Sequence, residues 1–226
     1  MKRRILSSLM ALVLVFGLLP TTAFAEGETA STAKTIYVDA MKGDDTQGEV
    51  GTAADKAYKS IGEAVKAAKS GDTIKLAEGN YSLYDVCGKN GASNSEEYTK
   101  NKDLTFIGAG PEETNWYIGA NPTPEGYKGE YDGDYCFDGA KTITFRNLTL
   151  RAGSKDYLGF IRADKTIVED CVINGKTFFW GYTSATFTNT TFNCPSLDYA
   201  IWTYSSPVMT FDNCTCNSSG KVINVY

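Results

Sequence analysis

Acid–base or metal chemistry in this chain must come from carboxylates, amines, guanidinium groups, phenols or thiols, because its 226 residues include no histidine. Imidazole bases, His-dependent triads and His-containing zinc motifs are therefore excluded. The densest acidic run is Asp132-Gly133-Asp134-Tyr135-Cys136-Phe137-Asp138. Its carboxylates Asp132, Asp134 and Asp138 offer oxygen ligands to a hard cation such as calcium. The run lacks the spacing and terminal Glu of an EF-hand loop, and Asp138-Gly139 also reads as the turn before a strand at Thr142. Arg151, Lys155 and Arg162 read as solvated charges. A different chemistry attaches to Trp180, Tyr182, Trp202, Tyr204 and Tyr226. Trp180 and Trp202 are 22 residues apart, as are Tyr182 and Tyr204, and Tyr204 and Tyr226. On the outer face of a sheet they would form a strip on which sugar rings stack; on the inner face they would fill a core.

The elements that must position these residues follow from a repeated phrase. Leu104-Thr-Phe-Ile-Gly108 is followed by Ile143-Thr-Phe-Arg-Asn147, Thr166-Ile-Val-Glu-Asp170, Ala185-Thr-Phe-Thr-Asn189 and Met209-Thr-Phe-Asp-Asn213. Successive intervals from Asn147 to Asp170, Asn189 and Asn213 are 23, 19 and 24 residues. Each phrase holds two short strands meeting at a small amide or carboxylate. One such unit is too small to bury its own apolar face, so neighbouring units must stack into a solenoid of parallel sheets. Asn suits the bend because it tolerates the left-handed conformation, and its side chain both donates and accepts. Asn147, Asp170, Asn189 and Asn213 are thus expected to form a ladder, although the three Asn also lie in N-x-T sequons. Glu169 and Asp212 each precede a ladder residue by one place, which puts two carboxylates roughly 9.6 Å apart, near the upper limit for a hydrolytic pair.

Ahead of the repeats, Thr35-Ile36-Tyr37-Val38 reads as a strand. Ser60-Ile-Gly-Glu63 is a capping box, and Ile61, Ala64, Val65 and Ala68 make an apolar helical stripe stopped at Ser70-Gly71. Asp72–Leu76 alternates as a strand does. Residues 82–102 and 111–134 read as polar insertions where binding surfaces can sit, with Trp116, Tyr117, Tyr127 and Tyr131 as contributors.

Composition sets the compartment. Lys2-Arg3-Arg4, an apolar run from Ile5 to Leu19 and the small-residue site Ala23-Phe24-Ala25 form a secretory signal. The expected organisation is a signal peptide at 1–25, a flexible leader at 26–34 and one domain at 35–226. Removing the three basic residues of the signal leaves 19 Lys and Arg against 27 Asp and Glu, which disfavours nucleic acid and anionic membrane as partners. In an exported chain the six cysteines permit disulfides, or serve as buried thiols in probable strands. Val222-Ile-Asn-Val225 is a strand with no capping element after it, so further coils or another chain are expected at that end.

From Thr35 to Tyr226 the chain resembles the right-handed parallel β-helix of the pectin-lyase-like superfamily. The most specific part is Ile36-Tyr37-Val38-Asp39, Tyr58-Lys-Ser-Ile61, Gly71-Asp-Thr-Ile-Lys-Leu76 and Glu78-Gly-Asn-Tyr81. The resemblance implies an all-β fold with an N-terminal capping α-helix and an asparagine ladder at Asn147, Asp170, Asn189 and Asn213. It spans lyases, hydrolases, epimerases, tailspikes and adhesins, and so does not choose a function. The expectation is a secreted or cell-surface module that binds extracellular polysaccharide without catalysis. It requires no cofactor, although calcium fits the acidic run. The alternative is a polysaccharide lyase or glycoside hydrolase; for a lyase the resemblance implies an Arg or Lys that abstracts a proton, for which Arg151, Lys155 and Arg162 are the candidates.

Overall fold

The computed structural model describes residues 32–49, 54–82, 98–117, 135–151, 158, 160–177, 179–195, 198–203 and 207–225. The expected signal peptide lies outside the described residues, as do Cys87, Tyr127, Tyr131, Asp132, Asp134, Lys155, Tyr204 and Tyr226. Among the described residues, no helix is long and apolar enough to cross a membrane.

Short β-prone runs become short strands, joined at the turn residues. They are β1 (Thr35–Val38), β2 (Thr73–Leu76), β3 (Gly79–Ser82), β4 (Asp103–Ile107), β5 (Thr114–Tyr117) and β6 (Tyr135–Cys136), then β7 (Thr142–Arg146), β8 (Thr149–Arg151) and β9 (Phe160–Ile161). The next are β10 (Lys165–Glu169), β11 (Val172–Asn174), β12 (Phe179–Trp180), β13 (Ser184–Thr188), β14 (Thr191–Cys194) and β15 (Tyr199–Thr203). The last are β16 (Val208–Asp212), β17 (Thr215–Ser218) and β18 (Lys221–Val225). Every described pairing between them is parallel. From β4 onward the chain visits the sheets in rotation. A seven-stranded sheet has the order β1-β2-β4-β7-β10-β13-β16, a six-stranded sheet β17-β14-β11-β8-β5-β3 and a three-stranded sheet β12-β9-β6, while β15 pairs with β18. A parallel neighbour cannot be reached by a hairpin, and here each return path is itself made of strands.

One core cluster receives the inward side chains of all three larger sheets. The seven-stranded sheet sends in Ile36, Ile74, Phe106, Phe145, Val168, Phe187 and Phe211, which share one register position. Phe106 stacks on Phe145 with centroids 5.9 Å apart, and Phe187 on Phe211 at 5.1 Å. The six-stranded sheet contributes Tyr81, Trp116, Leu150, Ile173, Phe192 and Cys216. From the three-stranded sheet come Cys136, Ile161 and Trp180. Period-two alternation produces these rows because successive strand side chains point to opposite faces. Phe211, in the inward row on β16, remains 38% exposed, and Val208 of β16 and Val222, Ile223 and Val225 of β18 are exposed as well.

A short helix, α1 (Ile61–Ala67), follows β1 and buries Ile61, Ala64 and Val65 against the core. The Ser60 hydroxyl accepts from the Glu63 backbone N–H at 3.3 Å, so half of the expected capping box forms. Glu63 instead pairs with Lys66 at 2.5 Å. The two expected insertions are not loops throughout. Thr114–Tyr117 is a strand within the second, and its Trp116 is fully buried rather than available for binding.

Candidate functional site

Among the described residues six non-glycine positions have positive φ, and four of these are Asn147, Asp170, Asn189 and Asn213, at +55°, +53°, +49° and +51°. Asn213 Nδ2 donates to Asn189 Oδ1 at 2.8 Å, and Asn189 Nδ2 donates to Asp170 Oδ1 at 2.9 Å. The chain of amides stops at Asp170 for a chemical reason, since a carboxylate accepts but has no N–H to pass on. Asn147 donates in the same direction as Asn189 and Asn213, but to backbone, its Nδ2 reaching the carbonyls of Gly108 and Ala109 at 3.3 and 3.2 Å. Gly108 occupies the equivalent position one circuit earlier, where a Cβ would meet the Asn147 carbonyl oxygen at 2.5 Å.

Behind this turn row Leu148, Cys171, Thr190 and Cys214 each follow a turn residue by one place, and the first three are buried. Burial pushes the Cys171 thiol up to about 12, so at neutral pH it is protonated. No disulfide joins the five described cysteines.

The aromatic set divides. Trp180 is 2% exposed and edge-on to Phe187 at 5.3 Å, so it belongs to the core and not to an outer strip. The 22-residue spacing misleads here, because Thr177 bridges to Ile201, which sets the circuits 24 residues apart and takes Trp180 out of line with Trp202. Only from β15 to β18 does a 22-residue register hold, pairing Trp202 with Asn224. Trp202 is half-buried against Tyr199, while Tyr182 is exposed.

The acidic run is also redistributed. Asp138 is 9% exposed and ion-paired with Arg162 at 2.7 Å, and Arg162 Nε also donates to the Tyr182 hydroxyl at 2.8 Å. Asp138 is thus committed to a cation of the protein itself. Glu169 and Asp212 share one register column two strands apart, and Glu169 is bound to Arg146. Among the described residues, no group of three acidic or thiol side chains converges as a metal site.

A second amide row runs along the outer face of the six-stranded sheet. Asn217 Nδ2 donates to Asn193 Oδ1 at 2.8 Å, and Asn193 Nδ2 donates to Asn174 Oδ1 at 3.0 Å. The same register position continues through Arg151 to Tyr117. A signal for this row exists in the sequence, because Arg151, Asn174, Asn193 and Asn217 each lie four residues beyond their turn residue. At the head of the row the surface sinks into a depression of about 330 Å³ between Asn80, Glu112, Asn115, Tyr117 and Arg151. Its floor includes Thr149, whose hydroxyl bonds the Pro111 carbonyl and pins the approaching chain. Arg151 Nε is buried and has no hydrogen-bond partner among the described residues. The arrangement can present a cation, amides and a phenol ring to one ligand on a rigid surface.

No protein-family model, curated protein or solved structure matches the chain. Its class is that of an all-β protein with mostly parallel strands, compatible with a β-helix.

Proposed function

We propose that the chain is a secreted or cell-surface right-handed parallel β-helix, similar to the pectin-lyase-like superfamily, that binds extracellular polysaccharide without transforming it. The rotation of the chain among three parallel sheets supports the architecture. The single observation that carries the binding function is the outer row Tyr117, Arg151, Asn174, Asn193 and Asn217. Interior strand positions are depleted in Asn, and nothing in the backbone of β11, β14 or β17 calls for it. These amides therefore serve the surface. They repeat at the strand spacing of about 4.8 Å, so they meet an extended polymer at regular intervals on a face that does not need to reorganise. Tyr182 and Trp202 lie off this row and are not needed for the binding face.

The test is electrophoresis of the mature protein through gels containing pectin, alginate or neutral glycans, with and without calcium, alongside assays for unsaturated products and new reducing ends. Retardation with no product is expected. Product formation would establish the lyase or hydrolase reading instead, and unretarded migration in every glycan would remove the binding function.

A further inference from the structure

The two ends of the inward row differ. Ile36, its first member, is fully buried, whereas Phe211, its last, has one face stacked on Phe187 and is 38% exposed. At the first end the free edge of β1 is taken by Tyr58, which bridges to Val38. The Tyr58 N–H donates to the Tyr37 carbonyl and the Asp39 N–H to the Tyr58 carbonyl, both at 2.8 Å. Helix α1 follows directly and packs on the core beside it. At the last end β16, β17 and β18 pair with β13, β14 and β15, and no described strand lies against their other edges. Free strand edges of this kind are templates for pairing with another chain. The only charged residues in these three strands are Asp212, which ends β16, and Lys221, which starts β18. Both are exposed, and neither forms an ion pair among the described residues.

We infer that this end docks a second copy of the same chain, tail to tail, in an isologous dimer. A head-to-tail stack would lay β16 on the edge of β1, which Tyr58 already holds, so the matching surface is the same end of another copy. A two-fold axis crossing the column at β17 sets β16 antiparallel to the partner's β18, and β18 antiparallel to the partner's β16. Residues opposite each other in an antiparallel pair point to the same side of the sheet. Phe211 therefore aligns with the partner's Ile223 and Met209 with the partner's Val225, so that core positions meet core positions. The same pairing brings the Asp212 end of each β16 to the Lys221 end of the partner's β18, and opposite charges meet twice. β17 faces its own copy. The outer amide row of Asn174, Asn193 and Asn217 then runs on into the partner's and lengthens the face open to a polymer.

The experiment is sedimentation equilibrium and small-angle X-ray scattering of the full mature chain under reducing conditions, over a range of concentrations and without glycan. A monomer–dimer equilibrium that stops at the dimer is expected, with the dimer extended along the column axis. Val225→Lys changes a side chain already exposed in one copy, so the chain should still fold. It should weaken dimerisation by about tenfold or more, because the two-fold axis brings each substitution into the joint twice. Asp212→Lys and Lys221→Asp should each weaken it by about three- to tenfold, and the two combined in one chain should restore it to within about threefold of wild type. Lys75→Gln, on the outer face of β2, should change nothing. Near-ultraviolet circular dichroism confirms that each variant folds. A monomer at every concentration would overturn the inference. So would assemblies that lengthen without limit, which need a head-to-tail joint, and so would a dimer indifferent to Val225→Lys and to the charge exchange, which would place the contact on another face.

Discussion

Two rows of asparagine climb the same molecule, with nearly the same side-chain hydrogen bonds and different backbones beneath them. In the turn row Asn189 and Asn213 donate at 2.9 and 2.8 Å; in the strand row Asn193 and Asn217 donate at 3.0 and 2.8 Å. Distance does not separate them, whereas the backbone does. Turn-row residues sit at φ between +49° and +55°, where an L side chain is strained unless it is short and polar. Strand-row residues lie in extended backbone that any β-branched residue would favour more. The turn row is thus explained by the backbone it occupies, whereas the strand row is not demanded by its backbone and owes its place to its amide bonds, to its surface, or to both.

The sharpest way to break this contrast is at Asn189. Asn189→Val places a β-branched side chain at φ +49° and removes bonds to both Asp170 and Asn213. We expect a loss of about 3 kcal/mol, combining left-handed strain with two hydrogen bonds. Asn189→Gly keeps the conformation and gives up only the amide, so it should cost about 1 to 2 kcal/mol. Urea denaturation checks both; if valine and glycine cost the same, the bend does not select the residue.

A smaller effect tests the buried column behind the turns. The Cys171 thiol has an ordinary value of 9.0, and burial raises it in the folded chain to about 12. Folding therefore favours the protonated thiol, and the unfolded chain releases its proton first as the medium becomes alkaline. The contribution is complete below about pH 9 and is lost as pH climbs toward 12. From this thiol alone roughly 3 kcal/mol should be gone near pH 11. Cys171→Ala should show a shallower decline between neutral and alkaline pH in the same denaturation series. An unchanged slope would mean that the column opens readily to solvent.

The turn row was legible in the sequence because its cause is local. A left-handed bend restricts residue type, so Asn147, Asp170, Asn189 and Asn213 stand out against a recurring Thr-Phe background. The inward Phe row was legible for a similar reason, since period-two alternation fixes the face. For Trp180 the sequence leaves the inner and outer faces both open, and equal spacing does not choose between them because it assumes that the chain returns after equal lengths. The register changes from 24 residues between Thr177 and Ile201 to 22 between Ile201 and Ile223. The sequence offers Asp138 both as a turn residue and as a cation ligand, and its partner Arg162 is remote in sequence, so only tertiary packing brings that pair together. The depression at Arg151 combines residues from β3, β5, β8 and the chain before β5, a juxtaposition that no local pattern encodes.

The least perturbing substitution separates the two rows most cleanly. Asn193 lies midway along the strand row, accepting from Asn217 and donating to Asn174, and its backbone is extended. Asn193→Thr removes both amide contacts but installs a residue that strands prefer, so the two contributions oppose each other. The net change in stability should lie within about 0.5 kcal/mol of zero, several times smaller than for Asn189→Val. Retardation in glycan gels should nonetheless weaken, because the polymer loses an amide midway along the row. A variant that keeps its stability and loses retention assigns the strand row to binding. One that loses stability as Asn189→Val does, with retention intact once folded, would make both rows structural and shift the search for the binding face to another sheet.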